Sequence, residues 1–176
     1  MEEHTIFTQF PPFYTLQQHP ATREKQLSLW KSVVLSYCSE RHVTKILLET
    51  APEMDLFYNS QIQRGLARQD ISAVLEYIQS QGYGLYSTED KSVFVITPLQ
   101  ITQIADDIYT WASNFGLLNN VSTLAEICMG EETCRETFHA LPEMIIESAL
   151  RCLESSHRVA LFPGTTLHEL GVKFLA

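Results

Sequence analysis

The chain has 176 residues, of which 45% are hydrophobic and 19% are charged, a composition typical of one medium globular domain or two small ones. Its net charge of −9 argues against partners such as nucleic acid or an anionic membrane surface, which are bound mainly by Lys and Arg. The sequence contains no apolar run of about 20 residues and begins with acidic residues, so we expect a cytoplasmic protein without membrane insertion.

The first 20 residues are predicted to form an extended tail. Residues 10–14 read FPPFY, and each proline fixes its own φ and removes a backbone donor. A stiff proline-rich segment loses little backbone entropy on binding, and its aromatic side chains can fill a groove on a partner. Two alternatives stay open: the PPFY sequence matches the PPxY consensus for WW domains, and the tail can fold back on its own domain.

Residues 21–97 are predicted to form a first domain. Helical periodicity over TREKQLSLWKSVVLSYCSER places one set of side chains on an apolar face: Leu27, Trp30, Val34, Tyr37 and Cys38. A short strand is predicted in VTKILLE and a short helix in NSQIQRGL. A second long helix is predicted in DISAVLEYIQSQG, with Asp70 as N-cap and Gly82 at its end. The strands YGLYS and SVFVI form a hairpin around TEDK.

Residues 98–176 repeat this order. Thr97 is predicted to cap a helix with Pro98 at its first position. The apolar side of that helix comprises Ile101, Ile104, Ala105, Ile108, Trp111, Ala112 and Phe115. A short helix follows in STLAEICMG, with a capping box between Thr123 and Glu126. A long helix in LPEMIIESALRCLESS, with Pro142 near its first turn, precedes the strands RVALF and LGVKFL.

The two inner helices align at a fixed offset. The paired positions are Ile71 with Ile146, Val74 with Ala149, Leu75 with Leu150, and Ile78 with Leu153. We therefore predict a mainly helical α+β fold with two tandem winged-helix domains, at residues 21–97 and 98–176, preceded by the extended proline/aromatic tail at 1–20.

Winged helices often bind DNA through the second long helix, which then carries basic side chains for the phosphates. Residues 70–81 contain no Lys or Arg, and residues 142–156 contain only Arg151. Residues 1–97 carry 8 basic and 11 acidic groups, and residues 98–176 carry 4 and 10, which gives −3 and −6. We therefore interpret both domains as protein-binding modules, and we expect no measurable binding to duplex DNA.

The four cysteines are widely and irregularly spaced, as expected for reduced thiols. Cys128, Cys134 and His139 have a C-x5-C-x4-H spacing, which lacks the short hairpin and fourth ligand of a structural zinc site. No local group that would orient a nucleophile or form an oxyanion site accompanies Cys134 and His139, which argues against a Cys–His catalytic pair. We expect no metal, no cofactor and no catalytic residues.

Several segments resemble the vacuolar protein-sorting 25 family, the small subunits of the endosomal sorting complex ESCRT-II. They are FPPFYTLQ, TREKQLSLW, VVLSYC, STLAEICMGEET, FHALPE and GVKF, and the resemblance extends from about Phe10 to Phe174. Two departures are Ala125, where the family commonly has an aromatic residue, and the loosely matched HVTKILLETAPEMDLFYN.

The resemblance implies a non-enzymatic adaptor in multivesicular-body sorting of ubiquitinated membrane proteins, recruited to endosomal membranes. It implies that two copies join one copy each of two larger winged-helix subunits. Each copy would dock through its tail, at Phe10, Pro11, Pro12, Phe13 and Tyr14. We expect alanine at Phe10 or Tyr14 to weaken this docking and leave the fold intact. The alternatives are a PPxY ligand of WW-domain ubiquitin ligases and a winged-helix DNA-binding protein.

The resemblance also implies that the second winged helix recruits the initiating ESCRT-III subunit, whose first helix is basic. Acidic side chains near the start of the second domain's long helix are the candidate contacts. They are Glu131, Glu132, Glu136, Glu143 and Glu147. An alternative is that these groups only keep the domain soluble.

Overall fold

The structure, a computed structural model, describes residues 9–176 and divides the chain into two compact units, Met1–Pro98 and Leu99–Ala176. Both units combine helices with small antiparallel sheets, which confirms the predicted α+β class. Residues 1–8 of the predicted tail lie outside the described residues. Among residues 9–176, no helix has both the length and the apolar character that crossing a bilayer requires.

The described part of the first unit, from residue 9 onward, contains two long helices and five short strands. They are α1 Pro20–Glu40, β1 Lys45–Leu47, β2 Tyr58–Asn59, β3 Arg64–Gly65, α2 Arg68–Ser80, β4 Gly84–Tyr86 and β5 Val93–Ile96. Strand β5 lies between β1 and β4 in an antiparallel sheet, and β2 pairs with β3 in a separate two-stranded hairpin.

Helices α1 and α2 bury most of the side chains that periodicity places on their apolar faces, although Leu27 and Tyr37 on α1 are only half-buried. Trp30 and Val34 on α1 are fully buried, and Cys38 is nearly so. On α2, the four predicted core positions Ile71, Val74, Leu75 and Ile78 are 0–1% exposed. These side chains share one hydrophobic core with Phe94 from the sheet, so the sheet and both helices form one packed body.

The second unit contains three helices and three strands. They are α3 Ile101–Asn114, β6 Val121–Thr123, α4 Leu124–Met129, α5 Glu143–Ser155, β7 Val159–Phe162 and β8 Gly171–Phe174. Strand β8 lies between β6 and β7, again with antiparallel pairing. Helix α3 packs against α5, and Trp111 contacts the rings of Phe138 and Phe174 edge-on.

The two units share the order of helix, strand, helix and hairpin, but the first has the β2–β3 hairpin where the second has the short helix α4. Helices α2 and α5 both have 13 residues, and they begin 75 positions apart at Arg68 and Glu143. In each unit the last strand is the central strand of the three-stranded sheet. The order of helix, strand, helix and hairpin is that of a winged helix, and the winged-helix assignment stays our interpretation of it.

Two predicted features of the first unit are wrong. The segment NSQIQRGL forms no helix. It belongs to the β2–β3 hairpin, in which the Asn59 side chain accepts the Gln61 N–H and Gln63 has a positive φ of 49°. These are features of turns, because an Asn side chain can bond its own backbone two residues on. Helix α2 begins at Arg68, so Asp70 lies in its first turn and is not the N-cap.

At the start of the second unit, the predicted cap at Thr97 is also wrong. Helix α3 begins at Ile101 with Gln100 at the N-cap position. Thr97 is buried, and its N–H donates to the Tyr83 carbonyl at 3.0 Å, so it continues the pairing of β5. Phe115, predicted on the apolar side of α3, lies just after the helix and is 51% exposed.

The predicted capping box at the start of α4 is confirmed. The Glu126 N–H donates to Thr123 Oγ1 at 3.2 Å, and the Thr123 N–H donates to Glu126 Oε2 at 2.8 Å. The two reciprocal bonds satisfy two backbone donors at the start of this short helix.

Candidate protein-docking site

The proline–aromatic segment is folded, and its predicted extended geometry is wrong. Pro11–Tyr14 forms a 3-10 helix with Phe10 as its N-cap. The Phe13 N–H donates to the Phe10 carbonyl at 2.9 Å, and the Thr15 N–H donates to the Pro12 carbonyl at 3.3 Å. The prolines occupy the first helical positions, where a missing N–H costs nothing and a fixed φ favours the turn.

Two of the three aromatic side chains in this segment lie in the core of the first unit. Phe13 and Tyr14 are each 5% exposed. The Phe13 ring stacks on the Trp30 ring with centroids 4.4 Å apart, and the Tyr14 ring meets Trp30 edge-on at 5.6 Å. In contrast to the expectation from the sequence, replacing Tyr14 should therefore lower stability, because its loss would leave a cavity beside Trp30.

A buried glutamine on α1 is hydrogen-bonded to the backbone of the turn and of the residues that follow it. Gln26 is 7% exposed, and its Nε2 donates to the Phe13 and Thr15 carbonyls at 2.9 Å each. Its Oε1 accepts the Gln17 N–H at 2.9 Å, and Trp30 Nε1 donates to the Phe13 carbonyl at 3.1 Å. The amide thus bonds three backbone groups of residues 13–17 at once, and it is the acceptor for the Gln17 N–H.

The role of Gln26 was not among the predictions from the sequence, although its spacing from Trp30 indicated one. It precedes Trp30 by four residues, so both side chains lie on the same face of α1. A polar side chain on a buried helix face needs a hydrogen-bond partner. The backbone carbonyls of the proline-rich segment are one possible partner.

Phe10 is the aromatic residue of the segment that remains accessible, at 58% exposure. Pro11 and Pro12 are also exposed. Beside them lies a shallow, mainly apolar groove of about 390 Å³, lined by Phe10, Pro12, Phe13, Thr22, Lys25 and Leu29. An exposed aromatic side chain next to an apolar groove is the arrangement that protein interfaces use for their strongest contacts.

A second cleft, of about 500 Å³, is lined by Tyr14 and by residues of α1 and the β2–β3 hairpin. Its lining includes Val33, Tyr37, Asp55, Tyr58 and Asn59. Burial raises the pKa of Tyr14, and a hydrogen bond with Asn59 opposes this effect. Tyr14 therefore stays a neutral phenol near pH 7 and contributes packing to this cleft without adding charge.

The structure divides the five acidic candidates of the second unit into two groups. Glu131 and Glu132 are exposed on the 3-10 turn Glu131–Thr133, and Glu136 is half-buried after it. Glu143 contacts His168 Nδ1 at 3.0 Å, and Glu147 pairs with Arg151 at 2.6 Å. The loop glutamates are therefore the better candidates for an outside partner, because the charge of Glu147 already faces a cation.

The cysteines and His139 do not form a reactive group. Burial raises the pKa of Cys38 and of Cys128 to about 12, so both thiols are protonated at neutral pH. Cys134 and Cys152 are exposed, and His139 Nδ1 is hydrogen-bonded to Thr133 Oγ1 at 2.9 Å. Within the described part of the chain, no three His, Cys, Asp or Glu side chains are grouped as metal ligands.

Sequence comparison places the chain in a known family. A family model described as ESCRT-II complex subunit matches residues 7–142. Vacuolar protein-sorting-associated protein 25 of Xenopus laevis is 39% identical over 166 residues, which cover 94% of each chain. The chain belongs to the ESCRT-II complex subunit family. This confirms the resemblance found in the sequence.

Solved structures agree with this assignment. The crystal structure of subunit VPS25 of the endosomal trafficking complex ESCRT-II matches with a TM-score of 0.76 and 25% identity, over 97% of both chains. A chain of the endosomal complex ESCRT-II (VPS22/VPS25/VPS36) matches with a TM-score of 0.73 and 24% identity, over 96% of this chain and 97% of that one. The second match shows the common fold alone. Family membership supports the role of a subunit in endosomal sorting.

Proposed function

We propose that the chain is a non-enzymatic adaptor subunit of ESCRT-II that acts in the multivesicular-body sorting of ubiquitinated membrane proteins. Its family supports the subunit role. In this function the protein is cytoplasmic and reaches endosomal membranes as part of its complex. Its partners are the counterparts of VPS22 and VPS36, which are named together with VPS25 in a solved ESCRT-II complex.

The observation that carries the docking proposal is the exposed face of the folded proline–aromatic turn. Phe10, Pro11 and Pro12 face solvent on a turn that is already ordered in the isolated chain. A partner therefore binds a preformed element and does not have to order it, which lowers the entropic cost of association. Phe13 and Tyr14 contribute indirectly, because their buried rings pack against Trp30 and hold the turn in place.

Co-expression with the two larger subunits tests this function. The full chain should co-purify with both, and the mass of the complex should correspond to two copies of this chain and one of each partner. A complex with a single copy would contradict the proposed stoichiometry. Failure to co-purify with either larger subunit would contradict the adaptor function itself.

We further propose that the second unit recruits the initiating ESCRT-III subunit. This unit carries most of the net negative charge of the chain, −6 against −3 for residues 1–97. An acidic surface attracts a basic helix over several ångströms and speeds their encounter. The exposed Glu131 and Glu132 are the groups best placed to supply this attraction.

Charge reversal in this loop should weaken binding of the ESCRT-III subunit. We expect lysine at Glu131, Glu132 and Glu136 to lower the affinity of the full chain by about tenfold at low salt, and to flatten its dependence on salt. The measurement is calorimetric titration at two salt concentrations.

The matched control applies the same charge change to three exposed glutamates of the first unit, Glu40, Glu49 and Glu53. If both triple variants bind alike, the loop is not the interface. An unchanged salt dependence in the loop variant leads to the same conclusion.

The structure does not favour the DNA-binding alternative. Helix α2 contains one basic residue, Arg68, whose guanidinium donates to the Glu49 carbonyl at 3.1 Å. Helix α5 contains one, Arg151, which is paired with Glu147. Neither helix presents the row of cations that phosphate neutralisation needs.

A further inference from the structure

The PPFY sequence of this chain has a different conformation from the one that WW domains bind. WW domains bind proline-rich ligands as an extended polyproline II helix. Here Pro11–Tyr14 is a 3-10 helix, and the tyrosine of the motif is 5% exposed. A WW domain would therefore have to unfold the turn and pull Tyr14 away from Trp30 before it could bind.

We infer that Gln26 is a positioning residue that keeps this segment folded, and that it thereby both presents Phe10 to the larger subunits and conceals the PPFY motif from WW domains. Its side chain makes three hydrogen bonds to the segment, to the Phe13 and Thr15 carbonyls and to the Gln17 N–H. The presentation of Phe10 rests on the proposed function, whereas the concealment of the motif does not.

The geometry explains why one side chain can have this effect. Both functional ends of the Gln26 amide are used, and the three bonded groups lie within five consecutive residues that start at Phe13. Helix α1 is a rigid support, since Trp30 four residues later is fully buried and donates to the same Phe13 carbonyl. Without Gln26, the Gln17 N–H loses its acceptor, and the Phe13 and Thr15 carbonyls each lose one of two donors and keep only Trp30 Nε1 and Gln17 Nε2. The open conformation of the segment therefore becomes more populated.

Hydrogen exchange and WW binding test this inference on the full chain. In Gln26→Leu, which keeps the approximate size and removes the polar atoms, the Gln17 amide should exchange about tenfold faster or more. Amides of α2 should be unchanged. The control is Gln79→Leu, the same substitution at an exposed position of α2 in the same unit, which should alter neither region.

The second readout is the affinity for a WW domain that binds PPxY peptides. A free peptide with the sequence of residues 9–17 should bind this domain, and the wild-type chain should bind at least about tenfold more weakly, because the opening of the turn competes with binding. The Gln26→Leu chain should bind the WW domain about tenfold more tightly than the wild-type chain does.

Two results would overturn the inference. One is wild-type binding to the WW domain as tight as that of the free peptide, a comparison that needs no variant. The other is a folded Gln26→Leu chain with unchanged exchange at Gln17 and unchanged WW affinity. Neither readout involves the larger subunits, so a failure of the proposed docking would be seen separately, in the co-expression experiment.

Discussion

Replacing Trp30 by alanine is expected to lower the free energy of unfolding of the first unit by about 3–5 kcal/mol. The indole is fully buried and is in ring contact with Phe13, Tyr14 and Phe57. Its removal also takes away the Nε1 hydrogen bond to the Phe13 carbonyl. Urea unfolding followed by circular dichroism measures the loss.

Two variants make the Trp30 result specific. Trp30→Phe keeps a ring in the core and removes the donor, so it should cost less than the alanine substitution. Phe10→Ala removes an aromatic side chain that is 58% exposed, and it should change the free energy of unfolding by no more than about 0.5 kcal/mol. A Trp30→Ala chain as stable as Phe10→Ala would show that Trp30 is not the centre of this core.

The same Phe10→Ala chain should bind the larger ESCRT-II subunits more weakly by about 2 kcal/mol or more, which corresponds to about 30-fold in affinity. The side chain is exposed in the free chain and borders the apolar groove, so docking is expected to bury it. Its loss therefore affects the complex and leaves the free fold unchanged. Quantitative pull-down or calorimetry with the purified larger subunits measures this effect.

Leu47→Ala is the matched control for Phe10→Ala, since Leu47 is an apolar residue of the same unit with 50% exposure. It lies on β1, away from the groove-lining residues in sequence, and it should bind normally. Equal affinities for the two variants would show that exposed apolar area in general, and not Phe10, governs docking. Normal binding by Phe10→Ala would show that Phe10 is not the anchor.

Tyr14→Ala is expected to behave differently from Phe10→Ala, although the two residues belong to one motif. Tyr14 is buried against Trp30, so its removal should lower both stability and binding. The separation of these two effects within five residues is the clearest consequence of the folded turn.

The sequence by itself determined the helical framework and the family. The apolar periodicity of α1, α2, α3 and α5 placed most of their buried side chains correctly, with Phe115 and Gln26 as exceptions, because a stripe of apolar side chains at a spacing of 3.6 residues has few other ways to leave water. The capping box at Thr123 was also readable, since both of its hydrogen bonds join residues three positions apart. The order of motifs along the chain was specific enough to identify the family.

Only the tertiary structure decided the features that depend on distant partners. Thr97 has the local sequence of a helix cap, but its N–H pairs with Tyr83 and continues a strand. Tyr58 and Asn59 pair with Gly65 and Arg64, where local propensity suggested a short helix. In both cases a backbone hydrogen bond to another segment outweighed a preference worth only a few tenths of a kcal/mol per residue.

The proline–aromatic segment shows the same division most clearly. Its composition predicted stiffness and a binding role, because prolines restrict the backbone and aromatic side chains offer large contact areas. Whether its rings point outward or inward depended on α1, which brings Trp30 and Gln26 beneath residues 13–17. Burial of Phe13 and Tyr14 and exposure of Phe10 follow from that contact, since a stacked ring and the hydrogen bonds of Gln26 and Trp30 outweigh the cost of closing a short turn.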